Sequence, residues 1–431
     1  MKKLVFIFFI LMITKISFAQ IVVNDELKKL INQSFSYFPK IKEAENNVIT
    51  AQQRIDITQT NLPDISASGS YTYIKPKIEI PFPVGSNGEV KNFQFFPVNN
   101  VASSVDANYM LFDFGRLKAN VDRAKTDLKY AADNVEYSKT QLAYQVADIY
   151  YGIIYLQKAI GIQDSVLSYL NANKQIVESN LRNGTALKID LLNVQSNIDA
   201  EQNRKVDLQN SLQKQYNLLS YATGAAQAVG SDFDFNVSVK TVDEALAVAQ
   251  QNNIEFILAK DKIAQAQSDV TIQKSINKPS VNLHGGAGYK NGFVPDVNQI
   301  RFNYQAGVTL KVPIYDGGKT DKQIKLYQNI VRQNQLSMES LSNDYKRDIE
   351  QTFTDIESNV ERIKNTAGQI EQAKLAEQIA QSRFRNGVGT NLEITNASTN
   401  EQRAELTRLQ YEYQLCLAKV ELARLIGEKY W

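Results

Sequence analysis

The sequence predicts a mainly α-helical protein with membrane β-structure: long coiled-coil helical hairpins plus four strands of membrane-crossing length, in two tandem structural repeats. Three observations carry this: a fixed internal offset, strict period-two strands, and sustained heptads. Leu111-Phe112-Asp113-Phe114-Gly115-Arg116 returns as Ile314-Tyr315-Asp316-Gly317-Gly318-Lys319, 203 positions later. The same offset relates Arg182-Asn183-Gly184 to Arg385-Asn386-Gly387, Asn193 to Asn396 and Gly224 to Gly427. Upstream, Pro63-Asp64-Ile65 answers Pro279-Ser280-Val281 at an offset of 216, so the first repeat holds a loop 13 residues longer. Repetition on this scale fixes the architecture before any local reading does.

The chain opens with Lys2 and Lys3, an apolar run over 4–13 and then Ser17-Phe18-Ala19. These are the three parts of a secretory signal peptide, with cleavage expected after residue 19. The mature chain is expected to begin at Gln20, which has no thiol to carry a lipid, and to hold 412 residues. No later stretch approaches the roughly 18 apolar residues of a membrane-spanning helix.

The remaining segments divide into a first repeat over 20–224, a linker over 225–241 and a second repeat over 242–431. Each repeat reads as helix, two strands, long helix, turn, helix. The strand hairpins fall at 63–112 and 279–314, and the tip turns at 182–187 and 385–390.

The first strand, 65–73, places Ile65, Ala67, Gly69, Tyr71 and Tyr73 on one face and Ser66, Ser68, Ser70 and Thr72 on the other. The fourth alternates in the same way from Arg301 through Val312; its partners, 101–111 and 281–289, alternate more loosely. Period two this regular implies two different solvents. A half-buried soluble sheet would alternate likewise, but these hairpins sit between helices too long to fold back over them. Each strand has roughly the 9 to 11 residues of a tilted transmembrane strand. Four strands cannot close a membrane barrel, which needs about eight, so protomers must pool them.

The long helix from Arg116 carries Val121, Ala124, Leu128, Ala131, Val135, Ser138, Leu142 and onward to Ala159 in alternating steps of four and three. The second copy repeats this from Ile324 to Ile370 with one extra residue before Ile349. Such a heptad seam must pack on other helices. The span 116–181 is 66 residues, about 100 Å of helix.

Composition weighs against chemistry. Lys plus Arg number 48 and Asp plus Glu 46, giving a net charge of +2 and no field to draw a nucleic acid. The lone Cys416 lies on an apolar helix seam and reads as a buried structural thiol. The lone His284 lies in a strand, and every His-based triad or zinc site would have to draw on it. No phosphate loop, cofactor motif or metal-ligand spacing is present. The chain is not expected to be an enzyme or to hold a cofactor or metal.

With the duplicated repeat, the Pro before each first strand, the Asp-x-Gly-[Arg/Lys] strand exits at Asp113 and Asp316 and the Asn-Gly turns, the sequence resembles the TolC-type outer-membrane efflux protein family from about Asn24 onward. The resemblance implies a homotrimer whose 12 pooled strands close a β-barrel in outer-membrane lipid of a Gram-negative bacterium, joined to a periplasmic α-barrel. It implies an exit duct of a tripartite efflux or type I secretion system, reached through a periplasmic adaptor (membrane fusion) protein from an inner-membrane RND, ABC or MFS transporter. The 75–100 segment would be an extracellular loop, its Pro76, Pro81, Pro83 and Pro97 forbidding regular structure. The 225–241 linker, with a strand-like run at 233–239, would form a small equatorial collar.

Site residues follow from the same resemblance. Asn183, Gly184 and Thr185 with Asn386, Gly387, Val388, Gly389 and Thr390 would be the adaptor-contacting tips; Val388-Gly389 resembles the family's adaptor-facing Val-Gly, although Thr390 stands where Leu is usual. The glycines also serve as helix-ending turns. Asp190, Glu393 and Asn396 would form the periplasmic gate, Asn396 replacing a second Asp. A carboxylate in the first turn of a helix is favoured by the macrodipole in any case. Two other classes compete: a periplasmic adaptor, which has one hairpin and soluble β domains, and a structural coiled coil of the envelope, which gives no reason for alternating strands. Dependence on detergent separates the first from a duct.

Overall fold

The structure is a computed structural model and describes residues 23–84, 89–226 and 230–431. The expected cleavage site lies outside the described residues. The fold is mainly helical. The elements are α1 (Asp25–Tyr37), α2 (Pro39–Gln59), β1 (Asp64–Tyr73), β2 (Glu79–Val84), β3 (Glu89–Gln94), β4 (Asn99–Phe112), α3 (Arg116–Arg182), α4 (Lys188–Thr223), α5 (Val242–Asn252), α6 (Ile254–Ile276), β5 (Ser280–Lys290), β6 (Arg301–Lys311), α7 (Lys319–Arg385) and α8 (Asn391–Ile426). The long helices α3 and α7 each run 67 residues, and α4 and α8 each run 36.

Two units share these elements. One takes Asp133–Leu258 and Met338–Trp431 with the described residues up to Glu45; the other takes Asn46–Ala132 and Ala259–Ser337. Each draws on both repeats.

The first unit is built on the middle of α3. From Leu142 to Ile154 this helix is buried nearly all round, not along a narrow seam: Ala143, Val146, Ala147, Tyr150, Tyr151 and Ile153 are all at 0% exposure. Over this stretch burial extends beyond the heptad seam, because α1, the end of α4, Phe235 of the linker, Cys416 of α8 and Tyr430 enclose the helix within one core. Each large side chain so enclosed contributes about 1.5–3 kcal/mol. Cys416 is a free, buried thiol, as its seam position implied, and burial pushes it well above the usual thiol range. The 233–239 run forms no strand element; its Phe235 is an anchor in the core.

Each repeat was expected to begin with one helix, and each begins with two. In the first, Pro39 keeps Phe38 out of the helical region, at φ −73° and ψ 120°. In the second no proline is present, and the break at Asn253 (φ −70°, ψ 131°) is held by side-chain bonds. Its Nδ2 donates to the carbonyls of Arg424 (3.0 Å) and Leu425 (2.9 Å), and its Oδ1 accepts from the Glu255 amide (2.8 Å) and the Tyr345 hydroxyl (3.2 Å). Gly427, at φ 72°, ends α8 against this residue, where a Cβ would lie 2.6 Å from the Asn253 backbone.

In the second unit β1, β4, β5 and β6 form one antiparallel sheet in the order β1-β4-β5-β6, so the two hairpins join through β4 and β5. The strand boundaries depart from the sequence expectation by one or two residues at most.

The 75–100 segment contradicts the expectation of irregular loop, because β2 and β3 pair as a separate antiparallel ribbon. The Phe95 amide donates to the Ile78 carbonyl at 3.2 Å, which sets the ladder bonds on the even-numbered residues of β2. Pro81 and Pro83 therefore fall at non-bonded positions, where the missing N–H costs nothing.

Candidate functional site

The register of the sheet aligns the alternation of all four strands. On one face lie Ile65, Ala67 and Tyr71 of β1, Val101, Val105 and Tyr109 of β4, Leu283, Ala287 and Tyr289 of β5, and Phe302, Tyr304, Val308 and Leu310 of β6. The other face carries Ser66, Ser68, Ser70, Ser104, Asp106, Asn108, His284, Asn303, Gln305 and Thr309. The looser alternation of β4 and β5 is thus still segregated. Among the described residues no helix covers the apolar face: Ile65 is 68% exposed, Tyr304 80%, Val308 63% and Leu310 62%. Tyr71, Tyr73, Tyr289, Phe302 and Tyr304 collect at the end of the sheet that bears the hairpin connections. Strands β1 and β6 pair on one side only, leaving two open edges. His284 lies on the polar face, 3.5 Å from the Thr309 hydroxyl.

The repeated Asp-x-Gly motif is a cap that converts strand to helix. Asp113 accepts from the Gly115 amide at 3.0 Å and from the Leu117 amide, at the start of α3. Asp316 does the same for Gly318 (3.0 Å) and Thr320 (2.9 Å) at the start of α7, and also accepts from Asn277 (3.1 Å). The hydrogen bonds from Thr320 and Asn277 hold the Asp316 carboxyl far below the usual carboxylate range. Side chains that accept from free amides in the first turn favour the ionised form.

The tip turns are built as expected. Gly184 and Gly387 adopt φ 72° and 73°, the left-handed conformation that ends α3 and α7. Thr185 donates its amide to the Asn180 carbonyl (2.9 Å), and the Val388 and Gly389 amides reach the Arg383 carbonyl (3.0 and 3.1 Å). A Cβ on Gly389 would lie 2.9 Å from both the Phe384 amide nitrogen and the Arg383 Cβ. This glycine therefore permits the turn itself. At the two tips Leu187, Leu192, Val388 and Leu392 are 68%, 54%, 69% and 64% exposed, apolar groups that the tip motifs alone did not reveal.

The two carboxylates singled out from the sequence both have local partners. Asp190 Oδ2 accepts from the Leu187 amide at 3.0 Å, capping α4. Glu393 forms an ion pair with Arg383 Nε at 3.3 Å, and its backbone amide donates to the Thr390 hydroxyl oxygen at 3.3 Å, the cap of α8. Asn396 is exposed one turn further on. Phe384 packs against the hydrophobic clusters of both tips, so the two turns share one apolar layer.

Two polar clusters of the helical unit escaped sequence reading because their members are far apart in the chain. Gln163 of α3 donates to the Glu201 carboxylate at 2.7 Å, and Gln402 of α8 donates to Gln163 (3.1 Å) and Glu201 (3.1 Å); all three are buried. Glu401 is pushed up to about 7 by burial and by a hydrogen bond to Glu377, with Lys374 opposing. Among the described residues no cluster of His, Cys, Asp and Glu could hold a metal ion, and no helix is long and apolar enough to cross a membrane.

The chain is similar to outer membrane protein TolC of Vibrio cholerae serotype O1, 20% identical over 72% of this chain and 72% of that one. It is 22% identical to outer membrane protein TolC of Escherichia coli K12 over 90% of this chain and 77% of the relative. Among solved structures, CusC, described as forming a transmembrane channel, superposes with a TM-score of 0.77 at 16% identity, covering 95% of this chain and 93% of that one. A family model for the outer membrane efflux proteins matches residues 30–225 and 245–428, nearly the whole of both repeats, and the chain belongs to the outer membrane efflux protein family.

Proposed function

We propose that this chain is one of three copies forming an exit duct in the outer membrane, a passive conduit from periplasm to exterior. One observation carries this reading: a four-stranded sheet with one continuous apolar face left uncovered, one polar face and two open edges. An open edge is not tolerated in lipid, and a closed barrel turns its apolar face outward and its polar face to the lumen. Three copies supply 12 strands. Apolar residues exposed along α7, such as Val360 and Leu375 at 48% and 57%, suit contact with neighbouring copies.

In this reading the two repeats and the 225–241 linker act as the structural domains, and the tips at Asn183–Thr185 and Asn386–Thr390 receive a periplasmic adaptor. The exposed Leu187, Val388 and Leu392 supply its apolar contact. The inner-membrane partner is an RND, ABC or MFS transporter. Asp190 and Glu393 contribute six carboxylates to the gate of a trimer, and Asn396 adds a neutral amide beside them. Their roles as caps and as gate residues are compatible, because a carboxylate bonded to an amide or an arginine keeps lone pairs for a cation. The duct itself breaks no covalent bond. Native mass spectrometry of the detergent-extracted protein tests the assembly: three copies are expected, and a stable monomer that resists urea would refute barrel closure by pooled strands.

A further inference from the structure

At the end of the sheet that bears the hairpin connections, the polar face changes character. Lys290, the last residue of β5, and Arg301, the first of β6, are direct cross-strand partners and so project on the same face. Like charges placed opposite each other in a sheet repel and are ordinarily destabilising. Neither is neutralised: among the described residues no carboxylate pairs with either. Lys290 lies over the Phe293 ring at 5.1 Å, and Arg301 bonds to neutral groups, the Gln299 side chain at 3.1 Å and the Val294 carbonyl at 3.3 Å. These contacts hold both cations in place while leaving their charge unspent.

Among the described residues the acidic groups of this end form no ion pair with them. Asp106, on the same face, pairs in register with Gly286, four residues down β5 from Lys290. That separation is about 13 Å along the strand, beyond the screening length of about 8 Å at physiological salt. Asp106 accepts from the Ser104 hydroxyl at 2.6 Å. Asp296, in the connecting loop, bonds the Asn298 amide at 3.0 Å, and among the described residues it forms no ion pair with either cation. Glu79, on the neighbouring ribbon, is paired with Lys77 at 2.5 Å. Around the two cations the face otherwise holds uncharged side chains such as Asn100, Ala102 and Asn303.

We propose that Lys290 and Arg301 form a cationic constriction at the outer end of the lumen, a site that binds small multivalent anions and favours their exit. The proposal rests on the duct reading, in which the polar face lines the lumen and three copies bring six such cations around one axis. A ring of one sign between low-dielectric walls concentrates counter-ions well above their bulk level. Its sign is opposite to that of the carboxylates at the tips.

The test uses the mature full-length protein in planar bilayers, with ferrocyanide added on the side of the hairpin connections. The wild type is expected to be blocked, and the Lys290→Gln, Arg301→Gln variant to need about tenfold more ferrocyanide for half-block. The charge-preserving Lys290→Arg, Arg301→Lys variant should retain wild-type sensitivity, which separates charge from folding. Equal half-block of the wild type and the double Gln variant, or no block of the wild type, overturns the ring and leaves the duct standing. A wild-type protein that forms no conducting pore overturns the duct and the ring together.

Discussion

Arginine placed at the centre of β6 distinguishes the two faces of the sheet most directly. Ala306 is the sixth of the 11 residues of β6 and lies on the apolar face opposite Gly285; its neighbour Gln305 lies at the same depth on the polar face opposite Gly286. Both positions are exposed, so neither substitution has to displace a packed core. If the apolar face meets lipid, Ala306→Arg costs about 2–4 kcal/mol per chain at the bilayer midplane. Over three chains that is about 6–12 kcal/mol, enough to empty the assembled state of a marginally stable trimer. Gln305→Arg should stay within about 0.5 kcal/mol, because it faces water with Asp106 across the sheet. Urea titration of the trimer refolded into lipid vesicles reads both values. Equal losses, or a larger loss for Gln305→Arg, would refute the assignment of one face to lipid and the other to the lumen.

At the tips, Val388→Glu should abolish export in a complementation assay and leave trimer yield unchanged; Gly389→Trp is the poorer probe because any Cβ there meets the Arg383–Phe384 backbone. Normal export by Val388→Glu would remove the apolar tip groups from docking. Asp190→Ala with Glu393→Ala should relieve block by a trivalent cation applied on the periplasmic side. Stability should fall by only about 1–2 kcal/mol through the lost α4 cap and the exposed Arg383 pair, and equal block of both proteins would leave these residues as caps. Asn253→Ala should lower stability by about 3 kcal/mol or more, since four buried or half-buried backbone and hydroxyl groups lose their partner; a melting temperature within one degree of wild type would show that water replaces them. The raised Glu401 carboxyl binds its proton more tightly folded than unfolded. Its stabilising contribution is therefore complete below about pH 4.5 and is lost as pH rises through about 7. Thermal melts from pH 4 to 8 should show that decline in the wild type and a flatter profile in Glu401→Gln.

The chain's local chemistry determined its longest helices and the strands of its larger sheet. Period two placed β1 and β6 nearly to the residue, heptads placed α3 and α7, and Asn-Gly placed the tip turns at Gly184 and Gly387. Each of these signals is a property of neighbouring residues and survives without knowledge of what the segment touches. The duplicated Asp-x-Gly was visible as a motif, but its work as a helix cap became clear only from the amides bonded to Asp113 and Asp316. Tertiary structure alone decided the register that brings the weakly alternating β4 and β5 into line with their neighbours. It decided that Pro81 and Pro83 occupy the free side of a ribbon, that Asn253 breaks a helix without a proline, and that α3 is enclosed at Tyr150 and Tyr151. It also gave Glu393 to Arg383 and Glu201 to Gln163 and Gln402, and set Lys290 beside Arg301. The physical reason is common to all of these: pairing register, enclosure and hydrogen-bond partner are set by which distant surfaces meet, and a sequence pattern records only which face of a segment seeks burial.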